Sequence, residues 1–534
     1  MRGLGMFCGG GNFDRGLAEC GAVEFKHALD WAEHALHSYR ANVDDPTTVS
    51  YFLGSVNDYL AQAMKASCKA GIATIGEVDL ISAGSPCPGF SPMQPDKQSQ
   101  KASQMASLVA SVVSYVDFYS PRYLVLENVV SMTNTLHFAK EQNVFKQIVA
   151  ALVALGYQTQ QFLMDAWSYG SSQQRSRVFI IASAPGLPPL EAPPHTHAHA
   201  KQVQKKGLGR ASNGEMIGAR RDDWTPFAHV STTASTAHLP NIGDATVGLC
   251  PDFPDHRTTT EENAMSRDLL AQIPIRPYEM SLQKAVHRGL ITSGSAYEWV
   301  KSYDPKSIRG RPDGKSYQRV APDGLFPSLM TKLALQDGKN GITVHWEQPR
   351  ALTVQEVRIA QGFRPHEVIL GSPGQQMKIV GNSVDRWVAF ALGLQLRKSW
   401  DARPRDEDEA SGRGMQSMRT SQRAGAMQIE PSPEQLQAIG HEVDEVRAGG
   451  FKAIRRRLLT VEAASTESGA SSRRTSLPVD LDDKESTPCA TSYEAKSTST
   501  TPSRRTMEGA TESHGLLTPI QREGSGMESA IMIH

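Results

Sequence analysis

The stretch Met6–Phe13, MFCGGGNF, places three consecutive glycines directly after a short apolar run. A glycine-rich turn between a strand and a helix lets backbone N–H groups and the start of the helix come close to a ligand. The first strand is expected to be short, because only Arg2 to Met6 precede the turn. The stretch therefore predicts a β-strand, a tight turn and an α-helix, the unit from which doubly wound α/β sheets are built.

Residues 1–184 continue this pattern by alternating short apolar runs with amphipathic stretches, which is typical of a doubly wound α/β domain. We expect strands at five apolar runs and helices at two stretches with apolar residues at helical spacing. The predicted strands are Leu4–Phe7, Val23–Leu29, Val78–Ala83, Tyr123–Leu126 and Val178–Ala182, and the predicted helices are Met105–Tyr119 and Val144–Leu155.

Asp30 and Trp31, which directly follow the second predicted strand, indicate a nucleotide-like cofactor. Asp30 lies 19 positions beyond Gly11, where a carboxylate can bind ribose hydroxyls. Trp31 follows it and can stack on an adenine ring. A single glycine-rich turn is weak evidence, and these features fit NAD and S-adenosylmethionine equally well.

In residues 185–346, Pro, Gly, Ser, Thr and Asp become frequent and periodicity weakens. We expect an irregular domain inserted into the first one. His195, His197 and His199 alternate near its start after two prolines, a pattern more typical of an extended linker than of a metal site. No metal site is therefore predicted.

Regular pattern returns in residues 347–400, which we assign to the first domain. Thr353 and Glu356 have capping-box spacing ahead of a predicted helix. A last helix follows Gly381–Val384, GNSV. The residues expected on its apolar face are Trp387, Val388, Phe390, Ala391 and Leu394. Residues 401–534 are rich in Ser, Thr, Arg and Glu and poor in aromatics, so we expect them to be largely disordered.

Composition limits the class of protein. The 56 basic and 56 acidic residues balance, so nucleic-acid binding requires a local basic patch, and a histone-like or coating protein is disfavoured. The six cysteines show no CxxC spacing, which fits a reducing compartment and predicts neither a zinc site nor a disulfide framework. No apolar run is long enough to cross a membrane, so a soluble intracellular protein is expected.

The stretch Ala83–Ser91, AGSPCPGFS, holds Cys87 between two prolines at the end of an apolar run. A thiol in a rigid loop beyond a strand faces a cleft rather than a core. Its thiolate can add to C6 of cytosine if nearby positive charge lowers its pKa. A lone cysteine is more often a small core residue, so this interpretation depends on the other motifs.

Three more residues supply the partners that such an addition needs. Glu127, in LVLENVV, ends an apolar run, and a carboxyl group there tends to have a raised pKa that suits proton or hydrogen-bond donation to the ring. Arg175 and Arg177, in QQRSRVF, alternate along an extended segment and so point the same way. Taken singly, Glu127 would be an ordinary carboxylate at the end of a strand. Arg175 and Arg177 would lie on a solvated edge strand.

Six motifs occur in the order FCGGGNF, SPCPGFS, LENVV, QQRSR, RALTVQE with QGF, and GNSV. In this order they resemble the DNA (cytosine-5) methyltransferase family, and the SPCP and ENVV contexts look most similar to its fungal members. The resemblance covers Met1 to about Trp400, with the insert excluded. It implies the Rossmann-like methyltransferase fold, S-adenosylmethionine as cofactor, and methyl transfer to C5 of a flipped cytosine in DNA.

By this resemblance, Cys87 is the nucleophile, Glu127 engages N3 of the base, and Arg175 and Arg177 anchor the base and the active-site loop. The residues that would line the cofactor site are Phe7, Gly9, Gly11, Phe13, Asp30 and Trp31, with Asn382 and Val384 closing it from the returning segment.

The insert would correspond to the family's target-recognition domain, which makes double-stranded DNA the expected partner and the nucleus the expected location. Its basic residues expected at DNA phosphates are Lys201, Lys205, Lys206, Arg210, Arg220 and Arg221. The tail is expected to bind chromatin or gene-silencing partners.

Two other functions remain open on the same fold. The first is RNA (cytosine-5) methylation, but such relatives have a small recognition domain, and the long insert here favours DNA. The second is a catalytically silent DNA-binding silencing factor. The intact Cys, Glu, Arg and Gly set argues against it, whereas Pro88, where the family usually has Gln, argues for it.

Overall fold

The computed structural model describes residues 1–65, 71–86, 100–134, 143–199, 208–210, 216–217, 227–239, 255–257, 264–278, 280–307, 310–314, 317–329, 331 and 343–404. Its centre is a seven-stranded sheet. The strands are β1 (Arg2–Met6), β2 (Glu24–Asp30), β3 (Ser50–Leu53), β4 (Leu80–Gly84), β5 (Tyr123–Val129), β6 (Gln158–Asp165) and β7 (Ser176–Ser183). The helices between them are α1 (Asn12–Ala18), α2 (Glu33–Ala41), α3 (Val56–Met64), α4 (Gln100–Tyr119) and α5 (Val144–Ala154).

The order of the strands places the glycine turn and the start of the Cys87 loop at one crevice. The order is β3-β2-β1-β4-β5-β7-β6, with β1 to β5 parallel and β7 antiparallel between β5 and β6. The strand order reverses between β1 and β4, and open α/β sheets bind ligands at such a point. The glycine turn follows β1, and the loop with Cys87 follows β4. The predicted doubly wound α/β fold is confirmed.

The hydrophobic core forms one layer on each face of the sheet, because neighbouring strand residues point to opposite faces. Ile81 packs with α3, α4 and α5 in one layer, around Tyr59 and Leu152. Leu80 packs in the other layer with α1 and with the last helix of the chain, around Leu17 and Leu392.

Two strands, β3 and β6, are absent from those predicted. Both lie at the edges of the sheet and are only partly buried, so their apolar signal is weak. The predicted alternation of strand and helix also fails between β6 and β7, which are joined by the short 3₁₀ helix Ala166–Tyr169. The five predicted strands and two predicted helices are present with shifted ends.

The described part of the insert contains only short elements, as the weak periodicity predicts. They are β8 (His197–Ala198), β9 (Gly209–Arg210), β10 (Met216–Ile217), β11 (Phe227–Ala228), α6 (Thr232–Thr236), α7 (Ala264–Gln272), α8 (Leu282–His287), α9 (Ser295–Lys301), β12 (Gln318–Arg319) and β13 (Thr343–Val344). Residues of α7, α8 and α9 share a hydrophobic core around Leu270, Leu282 and Val300, which weak periodicity alone does not indicate.

The first residues of the predicted insert still pack against the sheet. Leu190 is fully buried in the core beneath the last helix. The hydroxyl of Tyr123 donates to the carbonyl of Pro188 at 3.3 Å, and that of Tyr169 to the carbonyl of Pro193 at 3.2 Å. The boundary at residue 185 stays a prediction, and these contacts favour one about ten residues later in the chain.

Three helices return to the sheet domain: α10 (Val354–Ala360), α11 (Pro373–Asn382) and α12 (Arg386–Asp401). The predicted capping box at the start of α10 is confirmed, since the Glu356 N–H donates to the Thr353 hydroxyl at 3.1 Å and the Thr353 N–H to the Glu356 carboxylate at 2.8 Å.

The predicted apolar face of α12 is wrong at Leu394, which is 46% exposed. The buried face consists of Val388, Ala389, Leu392 and Leu396. This face is selected by close packing at Gly393, where an added Cβ would lie 2.8 Å from the Leu17 carbonyl oxygen. The absence of a side chain at Gly393 allows α12 to pack closely against α1. The pattern of apolar residues in the sequence alone does not show this contact.

Gly16 makes the matching close contact from α1. A Cβ at Gly16 would lie 2.5 Å from the Ala389 Cβ and 2.9 Å from the Arg386 carbonyl oxygen. We expect Gly16→Ala to lower the free energy of unfolding by about 1–3 kcal/mol through overpacking, although alanine has the higher helix propensity. Urea denaturation measures this change. Gly374→Ala in α11, where a Cβ meets no atom within 4 Å, is the matched control and should be neutral or stabilising. Equal effects of the two substitutions would contradict the packing argument.

Asp14 joins the first turn of α1 to the sheet. Its Oδ1 accepts a hydrogen bond from the Ser82 hydroxyl on β4 at 2.6 Å. Gly5 leaves room for it, since a Cβ there would lie 2.1 Å from Oδ2. Burial raises the pKa of Asp14 to about 7, even though hydrogen bonds from Ser82 and Tyr39 act in the opposite direction. The helix that begins at the glycine turn is thus held by a carboxyl group that keeps its proton up to near neutral pH.

The native pKa of Asp14 lies above the ordinary value of 3.8, so the native state binds more protons than the unfolded state between these two values. Its contribution to stability therefore decreases as pH rises from about 4 to about 7, by at most about 1.4 kcal/mol per pH unit. Asp14→Asn keeps an acceptor for Ser82 and should remove this decrease. Urea denaturation of both proteins from pH 5 to pH 8 measures the difference, and parallel pH profiles would contradict the assignment.

Candidate active site

The glycine turn has a backbone shape that ordinary residues avoid. Gly9 and Gly11 have φ angles of 55° and 82°, and Phe7, which is not a glycine, has φ of 54°. Strain of this kind at a non-glycine residue is concentrated at ligand and active sites. A Cβ at Gly9 would meet no atom within 4 Å, whereas one at Gly11 would lie 2.5 Å from Arg15 Nη1. The turn therefore leaves open space at Gly9.

Asp30 fixes this turn to the end of β2. Its Oδ2 accepts a hydrogen bond from the Gly9 N–H at 2.8 Å, and its Oδ1 accepts one from the Ala32 N–H at 2.8 Å. Burial raises the pKa of Asp30 above its ordinary value, and these backbone donors oppose the rise. Each carboxylate oxygen keeps a second lone pair for a ligand hydroxyl. Trp31 beside it is 74% exposed, so its ring is accessible to a ligand.

The other predicted cofactor residues differ in their surroundings. Phe13 is buried in the core, with its ring centroid 6.3 Å from that of Phe179. Val384 is buried, and its carbonyl accepts a hydrogen bond from Asn12 Nδ2 at 2.9 Å. Asn382 is exposed at the end of α11. Val384 thus reaches the glycine turn through Asn12, while contacts of Phe13 and Asn382 with a cofactor stay predictions.

Cys87 lies outside the described residues, but the start of its loop is described. Gly84 ends β4 and pairs with Glu127 on β5. Asn128 donates its side-chain N–H₂ to the hydroxyl of Ser85 at 2.8 Å and to the carbonyl of Ser85 at 3.3 Å. Asn128, which sequence reasoning did not single out, therefore holds the root of the loop that carries Cys87. Its position directly after Glu127 was the available signal.

Glu127 is buried at the end of β5 and forms an ion pair with Arg177, whose Nε lies 2.9 Å from its Oε1. Burial raises the pKa of Glu127 above its ordinary value, and the charges of Arg177 and Arg175 partly oppose this. Its Oε2 faces the end of β4, 3.9 Å from where a Gly84 Cβ would lie. A carboxyl group in this setting can share a proton with a ring nitrogen brought to the crevice.

Arg175 and Arg177 both lie near the Glu127 charge, as their alternation predicts. Arg177 belongs to β7, which is an internal strand and not a sheet edge, and Arg175 directly precedes this strand. Their hydrogen bonds differ. Arg175 is buried, and its Nη2 donates to the carbonyls of Gly381 at 3.1 Å and Ser383 at 2.9 Å. Arg175 therefore positions the GNSV segment, and its contact with a substrate base stays a prediction.

Asp385, directly after GNSV, connects the same two segments and was not singled out from the sequence. Its Oδ2 accepts hydrogen bonds from Ser171 Oγ at 2.7 Å and from Gln173 Nε2 at 3.1 Å. Its Oδ1 accepts from the N–H groups of Trp387 and Val388 and so caps α12. Burial raises the pKa of Asp385, and the Ser171 and Gln173 hydrogen bonds oppose this. An Asp just before an apolar helix is an N-cap signal in the sequence.

The part of the chain that the structure describes contains neither a cluster of metal ligands nor a membrane-spanning helix. No group of three or more His, Cys, Asp or Glu residues there could hold a metal ion. No helix there is long and apolar enough to span a membrane. Of the basic residues predicted to contact phosphates, only the backbone of Arg210 lies within the described residues, in β9.

Residues 1–398 match the model of a family described as C-5 cytosine-specific DNA methylase. The chain is 26% identical over 445 residues to DNA (cytosine-5)-methyltransferase 1B of Oryza sativa, covering 75% of this chain and 28% of that protein. It is 27% identical over 491 residues to DNA (cytosine-5)-methyltransferase 1 of Rattus norvegicus, covering 79% and 29%. A solved prophage-encoded methyltransferase of E. coli aligns with a TM-score of 0.46 at 18% identity, covering 75% of this chain and 99% of that one.

The chain thus spans less than a third of the length of these curated relatives. The match to the family model nevertheless includes both parts of the sheet domain and the insert between them. The predicted DNA (cytosine-5) methyltransferase family is therefore confirmed. The chain belongs to the C-5 cytosine-specific DNA methylase family.

Proposed function

We propose that this chain is an S-adenosylmethionine-dependent DNA (cytosine-5-)-methyltransferase. The observation that carries the proposal is the pairing of Gly84 with Glu127, which sets the start of the Cys87 loop beside a buried carboxyl group that is ion-paired with Arg177. A thiolate, a carboxyl group of raised pKa and a guanidinium at one crevice are the groups needed to add to a cytosine ring and to hold it.

The cofactor site is supported by the glycine turn. A nucleoside with free ribose hydroxyls fits three features of the turn. They are the open space at Gly9, the lone pairs of the Asp30 carboxylate and the accessible Trp31 ring. Phe7, Gly11, Phe13, Asn382 and Val384 complete the site that the family resemblance implies. S-adenosylmethionine, when bound there, supplies the methyl group.

The residues act on the base in a defined order. The target cytosine must leave the duplex, at a cost of roughly a few kcal/mol. Cys87 then adds to C6, and hydrogen bonding of Glu127 at N3 balances the charge, which makes C5 nucleophilic. After C5 has been methylated, loss of its proton and elimination of the Cys87 thiolate restore the aromatic ring. Arg177 keeps Glu127 oriented through these steps.

The partners and location belong to the same proposal. The insert, residues 185–346 by the sequence prediction, reads double-stranded DNA, and the sheet domain consists of residues 1–184 and 347–400. Residues 401–534 bind chromatin or silencing partners, and the protein acts in the nucleus. The particular similarity to fungal members of the family rests on the SPCP and ENVV motifs.

The covalent step can be tested with DNA that contains 5-fluorocytosine. Fluorine at C5 cannot leave as a proton does, so the enzyme is trapped after methyl transfer. A complex that survives denaturing electrophoresis should form with the wild-type protein plus S-adenosylmethionine and be absent with Cys87→Ala. Cys20→Ala, which removes a different thiol, is the control and should still form it. An equal yield from Cys87→Ala would exclude Cys87 as the nucleophile. Failure of the wild type would favour the silent DNA-binding protein, and trapping on RNA alone would favour the RNA enzyme.

The cofactor site can be tested through Asp30. A hydrogen bond to a charged group contributes about 1.5–3 kcal/mol, so Asp30→Ala should weaken S-adenosylmethionine binding by roughly ten-fold to a hundred-fold. Titration calorimetry without DNA measures this. Asp79→Ala is the control, because Asp79 directly precedes β4, at the amino ends of the parallel strands, whereas Asp30 lies at the carboxyl end of β2; Asp79 pairs with Arg2. Unchanged affinity in Asp30→Ala would remove Asp30 from the site.

A further inference from the structure

A cluster of buried charges surrounds Glu367, in the loop between α10 and α11. Its Oε1 accepts hydrogen bonds from Arg15 Nε at 2.8 Å and from Arg386 Nη1 at 3.3 Å, and its Oε2 accepts one from the Arg364 N–H at 2.8 Å. Burial acts to raise the pKa of Glu367, but the charges of Arg15 and Arg386 outweigh it and hold that pKa below its ordinary value. The carboxylate is therefore charged and bound on both oxygens.

Arg15 connects this cluster to the glycine turn. Its Nε bonds Glu367, and its Nη1 donates to the carbonyl of Gly10 at 2.8 Å. Gly10 lies between the two turn residues with positive φ, Gly9 and Gly11. The planar guanidinium donates in fixed directions. The position of the Glu367 carboxylate therefore sets where Arg15 holds the Gly10 carbonyl.

The cluster also extends toward the insert. Asp255, which belongs to the described segment 255–257, is ion-paired with Arg358 on α10 and accepts a hydrogen bond from Gln376 at 2.9 Å. Arg358 donates through Nη2 to the main-chain carbonyl of Glu367. The segment is further attached to α10 because the Val354 N–H donates to the Arg257 carbonyl at 3.0 Å. A continuous series of hydrogen bonds thus runs from Asp255 to Gly10.

We propose that Glu367 is a positioning residue for the glycine turn, acting through Arg15 on the Gly10 carbonyl, and that Asp255 of the insert supports it through Arg358. The turn conformation is strained at Phe7 and depends on contacts that hold it. Asp30 holds the turn by the Gly9 N–H, and Arg15 holds it by the Gly10 carbonyl, which belongs to a different peptide group of the turn. Loss of the Glu367 carboxylate leaves Arg15 without its orienting partner.

Glu19 supplies a matched comparison within the same cluster. It pairs with Arg386 at 2.9 Å and with Arg364 at 3.2 Å, on the more exposed side. Glu19→Gln and Glu367→Gln each remove one carboxylate charge that Arg386 contacts, but only Glu367 bonds Arg15. A purely structural role of the cluster predicts similar local effects of both variants on the turn, whereas positioning predicts an effect specific to Glu367.

The proposal rests on the proposed cofactor site for its functional consequence, but its first test needs no ligand. Hydrogen–deuterium exchange of the peptide that contains residues 6–13 reports the opening of the turn. In Glu367→Gln we expect exchange of the turn amides to be faster by about ten-fold or more, and in Glu19→Gln by less than about two-fold. Asp255→Asn should give a smaller acceleration that disappears in the Glu367→Gln background, because both act through the same contacts.

Calorimetry with S-adenosylmethionine then follows on the same proteins, with an expected loss of affinity of about ten-fold for Glu367→Gln and little change for Glu19→Gln. If Glu367→Gln does not fold, Arg15→Lys replaces it, since one ammonium group cannot hold both Gly10 and Glu367 in place of the guanidinium fork. Turn exchange that is unchanged, or equal in the Glu367 and Glu19 variants, would overturn the positioning role. Faster exchange in a protein whose wild type binds no S-adenosylmethionine would support the positioning role while rejecting the proposed cofactor.

Discussion

The buried hydrogen bonds between residues 171–175 and 381–385 hold the two separated parts of the sheet domain together. Ser171 and Gln173 donate to the Asp385 carboxylate, and Arg175 donates to the carbonyls of Gly381 and Ser383. These contacts span more than 200 residues of chain, and closing a loop of that length costs about 5 kcal/mol by the logarithmic dependence on length. Buried hydrogen bonds of this kind also fix one geometry, because a shift breaks them and leaves a donor or acceptor unpaired.

In this arrangement the two arginines have different partners. Arg175 is committed to main-chain carbonyls and so determines where GNSV and the start of α12 lie. Arg177 forms an ion pair with Glu127 and so places its positive charge near the start of the Cys87 loop. The two side chains share one strand segment, so the same backbone that closes the domain also places the ion pair. A variant at either arginine should therefore be assayed both for closure of the domain and for the ion pair with Glu127.

The sequence predicted those parts of the molecule in which local pattern and tertiary environment agree. Central strands such as β4 are apolar on both faces, and the capping box at Thr353 satisfies its own helix, so each is visible without knowing the fold. The edge strand β6 was missed because half of its side chains need no burial. The exposed Leu394 was misassigned because rotation of α12 is decided by a contact with α1, far away in the chain.

The candidate site follows the same rule. Gly9, Asp30 and Glu127 could be proposed from the sequence because their neighbours, a turn or a strand end, already indicate a crevice. Asp385, Asn128 and Arg15 were missed, since each acts on a segment that only the folded sheet brings near.

The glycine turn shows why such distant contacts matter for the shape of a local segment. Glycines allow a ligand to approach the backbone closely because they carry no side chain, and they adopt positive φ without strain, whereas the same conformation is strained at Phe7. A strained turn persists only where its surroundings hold it more strongly than the strain opposes it. Asp30 from β2 and Arg15 from α1 supply that hold on two peptide groups of the turn, and Arg15 is in turn oriented by the Glu367 carboxylate, which follows the insert in the chain. The shape of the turn is thus a property of the closed domain, which explains why a turn that begins at residue 7 depends on residues that follow the insert.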